Sequence, residues 1–342
     1  MTGPAAESSI AVLGAGSWGT TFAKVLADSN PSADIRLWAR RPEVADQINT
    51  EHRNRQYLND IALPTNIVAY PAVADALDGV SMVVLAVPAQ TLRAQLRQWK
   101  PLIGQDVLVV SLMKGLELGT DSRMSQVIAE ELGLPDRQIA VVSGPNLAME
   151  IARREPTASV VACTDQEVAV RVANCCTASY FRPYTNTDVV GTEIGGIVKN
   201  VIALAVGICE GRQMGDNTKA SVITRGLAET TRLALALGGK AETLAGLAGL
   251  GDLIATCSSP LSRNHTAGRL LGQGLTLDEV TDRMNQTAEG IKSAQAVLDA
   301  ATNLNVSVPI TENVVAVLRG DISVAELGPR LLARDLKAEG AQ

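Results

Sequence analysis

Two domains of different class are predicted from this chain: a doubly wound α/β domain over residues 8–190 and an all-α domain over residues 191–337. Three observations predict them. Short, almost wholly apolar runs recur through the first half, as expected of strands buried on both faces of a parallel sheet. A glycine-rich turn joins the first of these runs to a helical pattern. Beyond about residue 190 the runs give way to long stretches of Ala, Leu, Gly, Glu and Lys.

The elements follow in order. "SIAVLGAG" is a β-branched run ending in glycines, and "TTFAKVLAD" places Phe22, Val25 and Leu26 at helical spacing. "DIRLWAR" reads as a second strand after the turn "DSNPSAD", and "SMVVLAVP", "DVLVVSL" and "QIAVVSGP" as further buried strands. "QTLRAQLRQWKPLI" has a helical pattern between two of them. In the second half "KASVITRGLAETTRLALAL", "LDEVTDRMNQ", "IKSAQAVLDAATNL", "PITENVVAVLRG" and "SVAELGPRLLARDL" read as helices. Thr276 ahead of Glu279 is a capping signal there. The ends "MTGPAAESS" and "KAEGAQ" are expected to be short tails, and the first has neither the basic nor the apolar region of a signal peptide.

Composition narrows the function classes. Of 342 residues 46% are hydrophobic and 19% charged, the balance of an ordinary globular chain. Aromatics make up only 3%, so Ala, Val, Leu and Ile must fill the cores. A net charge of −6 argues against nucleic acid as a partner but leaves room for a local cationic pocket. Cys163, Cys175, Cys176, Cys209 and Cys257 form no C-x-x-C pair, and His52 and His265 are the only histidines. That pattern supports neither a metal site nor a disulfide framework, and reduced, mostly buried thiols in a cytoplasmic protein are expected. Lys199 interrupts the one segment that approaches a membrane span, so no transmembrane segment is expected.

The glycine turn carries the first chemistry. "IAVLGAGSWGT" sets Gly14, Gly16 and Gly19 in the G-x-G-x-x-G spacing, after a strand and opening a helix. In that context Gly14 permits the tight turn, Gly16 admits a pyrophosphate to the backbone, and Gly19 allows close helix packing. An NAD site usually has an acid at the end of the second strand. Here Asp34 precedes that strand, and Arg40 and Arg41 stand where the acid would be. Guanidinium groups suit a 2′-phosphate, so NADP(H) is favoured and NAD(H) remains possible.

"EIGGIVKNVIALAVGICEG" raises a different question, because Lys199 is the only charged residue between Glu193 and Glu210. A helix apolar all round is a buried helix, so its ammonium either snorkels to water or is kept in a site. Lys114 follows a strand in "SLMKGLELG", in the crevice where α/β folds bind ligands. Asp252 follows a glycine-rich turn, Ser262, Arg263 and Asn264 open a helix, and Glu289 lies in "QTAEGIKSA". Taken singly, each also reads as a helix cap, a loop lysine or a solvated face.

Together these blocks carry a resemblance. "GAGSWGT", "SLMKGLE", "SGPNLAMEIA", "GIVKNVIALAVG", "GLAGLGDLIATC" and "SRNHTAGRLLG", in that order, closely resemble the bacterial-type NAD(P)-dependent sn-glycerol-3-phosphate dehydrogenases over almost the whole chain. The resemblance implies an N-terminal Rossmann domain and a helical C-terminal domain like that of 6-phosphogluconate dehydrogenase. It implies reduction of dihydroxyacetone phosphate to sn-glycerol 3-phosphate for phospholipid synthesis, in a cytoplasmic homodimer. Lys199 then matches the catalytic acid/base, with Asp252 beside it. Lys114 matches a lysine shared by cofactor and substrate; Gly144, Asn146, Lys199, Asp252, Ser262, Arg263 and Asn264 match the substrate site. Gly14, Gly16, Ser17, Trp18, Gly19, Arg40, Arg41, Ala148, Arg263 and Glu289 match the cofactor contacts. Two positions depart from many relatives: Asn146 replaces Ser or Thr, and Ile197 replaces Ala or Thr. A related hydroxyacid or ketopantoate dehydrogenase, a non-catalytic NADPH sensor and an S-adenosylmethionine methyltransferase are the alternatives; turnover and ligand comparisons separate them.

Overall fold

The computed structural model describes residues 9–284 and 288–332. The expected tails, Ser9 apart, and Gln286 and Thr287 of "QTAEGIKSA" lie outside the described residues. The chain forms two compact units: one holds the chain up to Lys114 and Ser122–Val189, the other Gly115–Asp121 and the chain from Val190. The short excursion belongs to the second unit because Leu116 packs in its core and Asn303 donates a hydrogen bond to Asp121 (3.0 Å).

The first unit is built on an eight-stranded sheet. Its strands are β1 (Ser9–Leu13), β2 (Asp34–Trp38), β3 (Ile67–Tyr70), β4 (Met82–Leu85), β5 (Leu108–Ser111), β6 (Ile139–Ser143), β7 (Thr157–Ala162) and β8 (Phe181–Asn186). The order is β3-β2-β1-β4-β5-β6-β7-β8. Strands β1 to β6 pair in parallel, β7 is antiparallel to β6, and β8 is parallel to β7. The order reverses between β1 and β4, and the glycine turn lies at the carboxyl end of β1, where doubly wound folds bind ligands.

The five segments read as strands in the sequence became β1, β2, β4, β5 and β6. The three strands it did not show lie at or next to the sheet edges. On β3 and β8 buried and exposed positions mix, and Pro183 of β8 lacks the N–H that a central strand would need. An edge strand therefore has no continuous apolar run to read.

The second unit is helical among its described residues. Its centre is the Val189–Gly211 helix, whose Ile194, Val201, Ile202, Leu204 and Ile208 are buried. That helix is long and apolar enough to cross a membrane, but 94% of its apolar window is buried inside the protein, the pattern of a core helix. Glycine decides how its neighbour sits. A Cβ on Gly207 would lie 2.2 Å from the His265 carbonyl oxygen, and one on Gly268 would lie 2.1 Å from that of Leu204. Gly211 and Gly272 repeat this contact one turn on, so the Arg263–Gly272 helix lies backbone to backbone against the long helix.

The expected Thr276–Glu279 capping box is present, with Glu279 N–H donating to the Thr276 hydroxyl and Thr276 N–H to the Glu279 carboxylate. A second cap was not visible in the sequence. The wholly buried Glu229 accepts from the N–H groups of Ile310 (2.8 Å) and Thr311 (2.9 Å), at the start of the Pro309–Arg319 helix. Glu229→Ala would strand both donors, each at about 1–3 kcal/mol. A clear fall in the thermal midpoint of the variant is expected by calorimetry, and an unchanged midpoint would show that the cap contributes nothing.

Candidate active site

In the first unit the glycine turn shows which of its glycines the fold demands. Gly14 has φ +127°, and a Cβ there would lie 2.4 Å from the Ala86 carbonyl oxygen. A Cβ on Gly19 would lie 1.9 Å from the Gly14 carbonyl oxygen. Both are required by packing alone. Gly16 is not: a Cβ there would meet nothing within 4 Å. The small residue at that position leaves open space at the mouth of the Ser17–Ser29 helix, whose first turn has no side-chain cap and no acid. Unsatisfied helix N–H groups beside open space suit a pyrophosphate.

Asp34 stands at the start of β2, where it pairs with Arg36 (2.7 Å), at the opposite end from the expected ribose. Arg40 and Arg41 follow the end of β2, and the two differ. Arg41 donates to Gln56 and lies 3.8 Å from Glu43. Arg40 is exposed and makes no hydrogen bond or ion pair among the described residues. A dinucleotide with a 2′-phosphate fits this strand end better than one whose ribose needs an acid.

The loops after β5 and β6 bring further expected residues together. The Lys114 ammonium donates to the Gly144 carbonyl (3.1 Å). Asn146 is held from the side by Ser159, whose hydroxyl lies 3.0 Å from Asn146 Oδ1 and 2.8 Å from the Ser143 carbonyl. Asn146 Nδ2 is buried with no partner among the described residues. Ser159 lies on β7, one of the strands the sequence did not show. Ala148 opens a short helix and accepts from the Thr21 hydroxyl (3.2 Å), which links it to the glycine-turn helix. Trp18, in that helix, stacks edge-on against Phe22.

In the second unit Lys199 is 7% exposed, so it does not snorkel. Its ammonium donates to Asp252 Oδ1 at 2.5 Å and to the Thr256 hydroxyl at 2.7 Å. Asp252 is 1% exposed and begins the Asp252–Ser258 helix, which puts Thr256 one turn on and on the same face. Thr256 escaped notice in the sequence, although its i+4 spacing from Asp252 was the available signal. A π-helical turn, Leu247–Gly251, delivers Asp252, and a second glycine contact places that turn. A Cβ on Gly195 would lie 2.4 Å from the Ala248 carbonyl oxygen. Gly195 precedes Lys199 by one helical turn, so the absent side chain lets the turn approach the face that carries the lysine. Burial pushes the neighbouring Cys257 thiol up to about 12, which keeps it protonated at neutral pH and unreactive as a nucleophile. All five cysteines are buried free thiols.

The "SRN" block divides its labour. Ser262 is the N-cap of the Arg263–Gly272 helix and accepts from the His265 N–H (3.2 Å). Arg263, at the first helical position, is exposed. Asn264 is 8% exposed, donates to Asn200 Oδ1 (2.9 Å) and accepts from the Gly290 N–H (2.8 Å). Its amide therefore orients Asn200, the residue after Lys199. Glu289 is partly buried at the first position of the Glu289–Asn303 helix, beside that Gly290.

Comparison with known proteins places the whole chain in one family. Residues 9–169 match the family model described as NAD-dependent glycerol-3-phosphate dehydrogenase N-terminus, and residues 188–328 match the corresponding C-terminus model. The chain is 57% identical over 330 residues to a Thermobifida fusca protein named glycerol-3-phosphate dehydrogenase (NAD(P)+), covering 96% of this chain and 98% of that one. A crystal structure of glycerol-3-phosphate dehydrogenase from Coxiella burnetii superposes with a TM-score of 0.90 at 37% identity, covering 96% of this chain and 99% of that chain. The corresponding Saccharomyces cerevisiae structure gives 0.82 at 28% identity, covering 95% and 99%.

Proposed function

Because the chain belongs to the NAD-dependent glycerol-3-phosphate dehydrogenase family, we propose that it reduces dihydroxyacetone phosphate to sn-glycerol 3-phosphate, reversibly, with NADPH favoured and NADH possible. The observation that carries the reading is the ammonium of Lys199, buried in an apolar helix and held by Asp252 and Thr256. A fold that needed only packing would have an apolar residue there, since a buried ion pair adds little net stability.

Bound nicotinamide supplies the hydride that adds to the ketone carbon. The chain's own groups supply the rest. Lys199 donates to the ketone oxygen, stabilises the charge that develops there and delivers its proton. Asp252 and Thr256 fix the ammonium in place. Arg263 binds the substrate phosphate, supported by its exposure at the first position of a helix. Lys114 and Asn146 supply further donors to substrate oxygens, and Ser262 and Asn264 hold this machinery in shape. Gly16, Ser17 and Trp18 receive the pyrophosphate, with Arg40 toward the 2′-phosphate and Ala148 and Glu289 among the remaining cofactor contacts. The product serves glycerophospholipid synthesis. A cytoplasmic homodimer is part of the same proposal, and light scattering on the purified chain tests the dimer.

The test is loss of nicotinamide absorbance with dihydroxyacetone phosphate, run with NADPH and NADH in parallel. Rapid oxidation of NADPH supports the proposal; binding without turnover would favour a sensor. Arg40→Ala is expected to raise KM for NADPH about tenfold, the effect of losing one charge-assisted contact, with KM for NADH unchanged. Arg41→Ala should do less, because Gln56 and Glu43 already engage that side chain. Equal behaviour of both variants toward both nucleotides would demote the arginines to loop residues.

A further inference from the structure

The glycine turn is held by a residue that the glycine motif does not include. Asn54 lies 34 positions beyond Thr20 and is wholly buried. Its Nδ2 donates to the Ala15 carbonyl at 3.0 Å and to the Thr20 hydroxyl at 2.9 Å. Those two acceptors flank Gly16, the one glycine of the three that its own surroundings leave unconstrained. A single amide nitrogen thus spans the open stretch of the turn and ties it to the first turn of the helix behind it.

Two features show that the side chain is committed to this contact. Asn54 is the N-cap of the Arg55–Leu58 helix, a position where an Asn side chain ordinarily accepts from its own helix, yet it makes no such bond. Its Oδ1 is also buried with no partner among the described residues, an arrangement that packing alone would disfavour. The backbone around it is firmly placed. The Asn54 carbonyl accepts from Tyr57 (3.1 Å) and Leu58 (2.8 Å), Gln47 accepts from the Arg55 N–H (3.0 Å), and the His52 carbonyl accepts from Leu63 (2.8 Å).

Resting on the NADPH-dependent reading above, we propose that Asn54 is a positioning residue for the coenzyme pyrophosphate. It touches no substrate and no cofactor; it sets the spacing between Gly16 and the N-terminus of the Ser17–Ser29 helix, and so pre-forms the anion cradle. A preformed cradle contributes to affinity because the turn need not be ordered when the nucleotide arrives.

The experiment is a fluorescence titration of the unsubstituted protein and of Asn54→Ala with NADPH and with NADH, alongside steady-state kinetics. The expected result is a dissociation constant raised about tenfold for both nucleotides, since the pyrophosphate is common to them. At saturating NADPH, kcat and the KM for dihydroxyacetone phosphate should stay unchanged. If Asn54→Ala does not fold, Thr20→Val keeps the volume, removes one acceptor and should raise both dissociation constants by a smaller factor. Unchanged dissociation constants with only a lower thermal midpoint would overturn the proposal and leave Asn54 a structural residue. So would a fall in kcat without a change in binding. Failure of the unsubstituted protein to bind either nucleotide would instead overturn the coenzyme reading on which the proposal stands.

Discussion

Lys199→Met is expected to lower kcat for dihydroxyacetone phosphate reduction by about 10²–10⁴-fold, the usual cost of losing a positioned acid/base, while NADPH still binds. Methionine keeps most of the volume but removes the ammonium that would protonate the alkoxide. The substitution has a second consequence, because Asp252 is 1% exposed and loses the ammonium 2.5 Å away. Breaking a buried pair from one side typically costs about 3–5 kcal/mol, so a loss of activity by this variant could arise from unfolding alone. The double variant Lys199→Met with Asp252→Asn separates the two. It removes the stranded charge and should recover much of the stability, since neutral replacements of buried pairs are often tolerated. Activity should not recover. Stopped assays together with thermal melts on both variants read the two effects, and a stable double variant with near-normal kcat would remove Lys199 from the mechanism.

Gly195→Ala is expected to produce the other large loss, about 10²-fold in kcat, without touching any reacting group. The added Cβ would lie 2.4 Å from the Ala248 carbonyl oxygen and 3.3 Å from Gly249 Cα. Both are backbone atoms, so no side chain can swing away. The Leu247–Gly251 turn must retreat from the long helix, and Asp252 and Thr256 retreat with it. A displacement of about 1 Å is enough for a loss of this size when it lengthens the contacts that hold a catalytic group. Overpacking should also destabilise the protein by about 1–3 kcal/mol. Steady-state kinetics and a melt on the same preparation would check both, and normal kcat in a normally stable variant would show that the turn does not govern Lys199.

Much of this architecture was legible in the sequence because it rests on short-range physics. Strands β1, β4, β5 and β6 are buried on both faces, so each leaves a nearly unbroken apolar run, while β2 alternates between buried and half-buried positions. The glycine spacing is legible for a similar reason. Gly14 and Gly19 answer contacts made within the turn itself or with the adjacent strand end, at Ala86. An ammonium inside an apolar helix also stands out without any structure, because burying it is costly. The six ordered blocks added the family, and with it the expected chemistry of Lys199, Asp252 and Arg263.

What only the tertiary structure decided is which side chains meet. Lys199 and Asp252 are 53 positions apart, and no local pattern joins them. Thr256 and Gly195 acquire meaning only once the Leu247–Gly251 turn is seen against the long helix. Asn54, which no sequence pattern singled out, reaches a turn 39 residues earlier and donates to the Ala15 carbonyl there. Arg40 and Arg41 look equivalent until Gln56 takes one of them. By itself the sequence determined the two classes of domain, the glycine turn and the oddity of one buried lysine, because propensity, burial period and backbone sterics act over a few residues. Partnerships between distant polar groups depend on how packed helices and strands bring them within about 3 Å, a distance that packing sets and spacing along the chain does not.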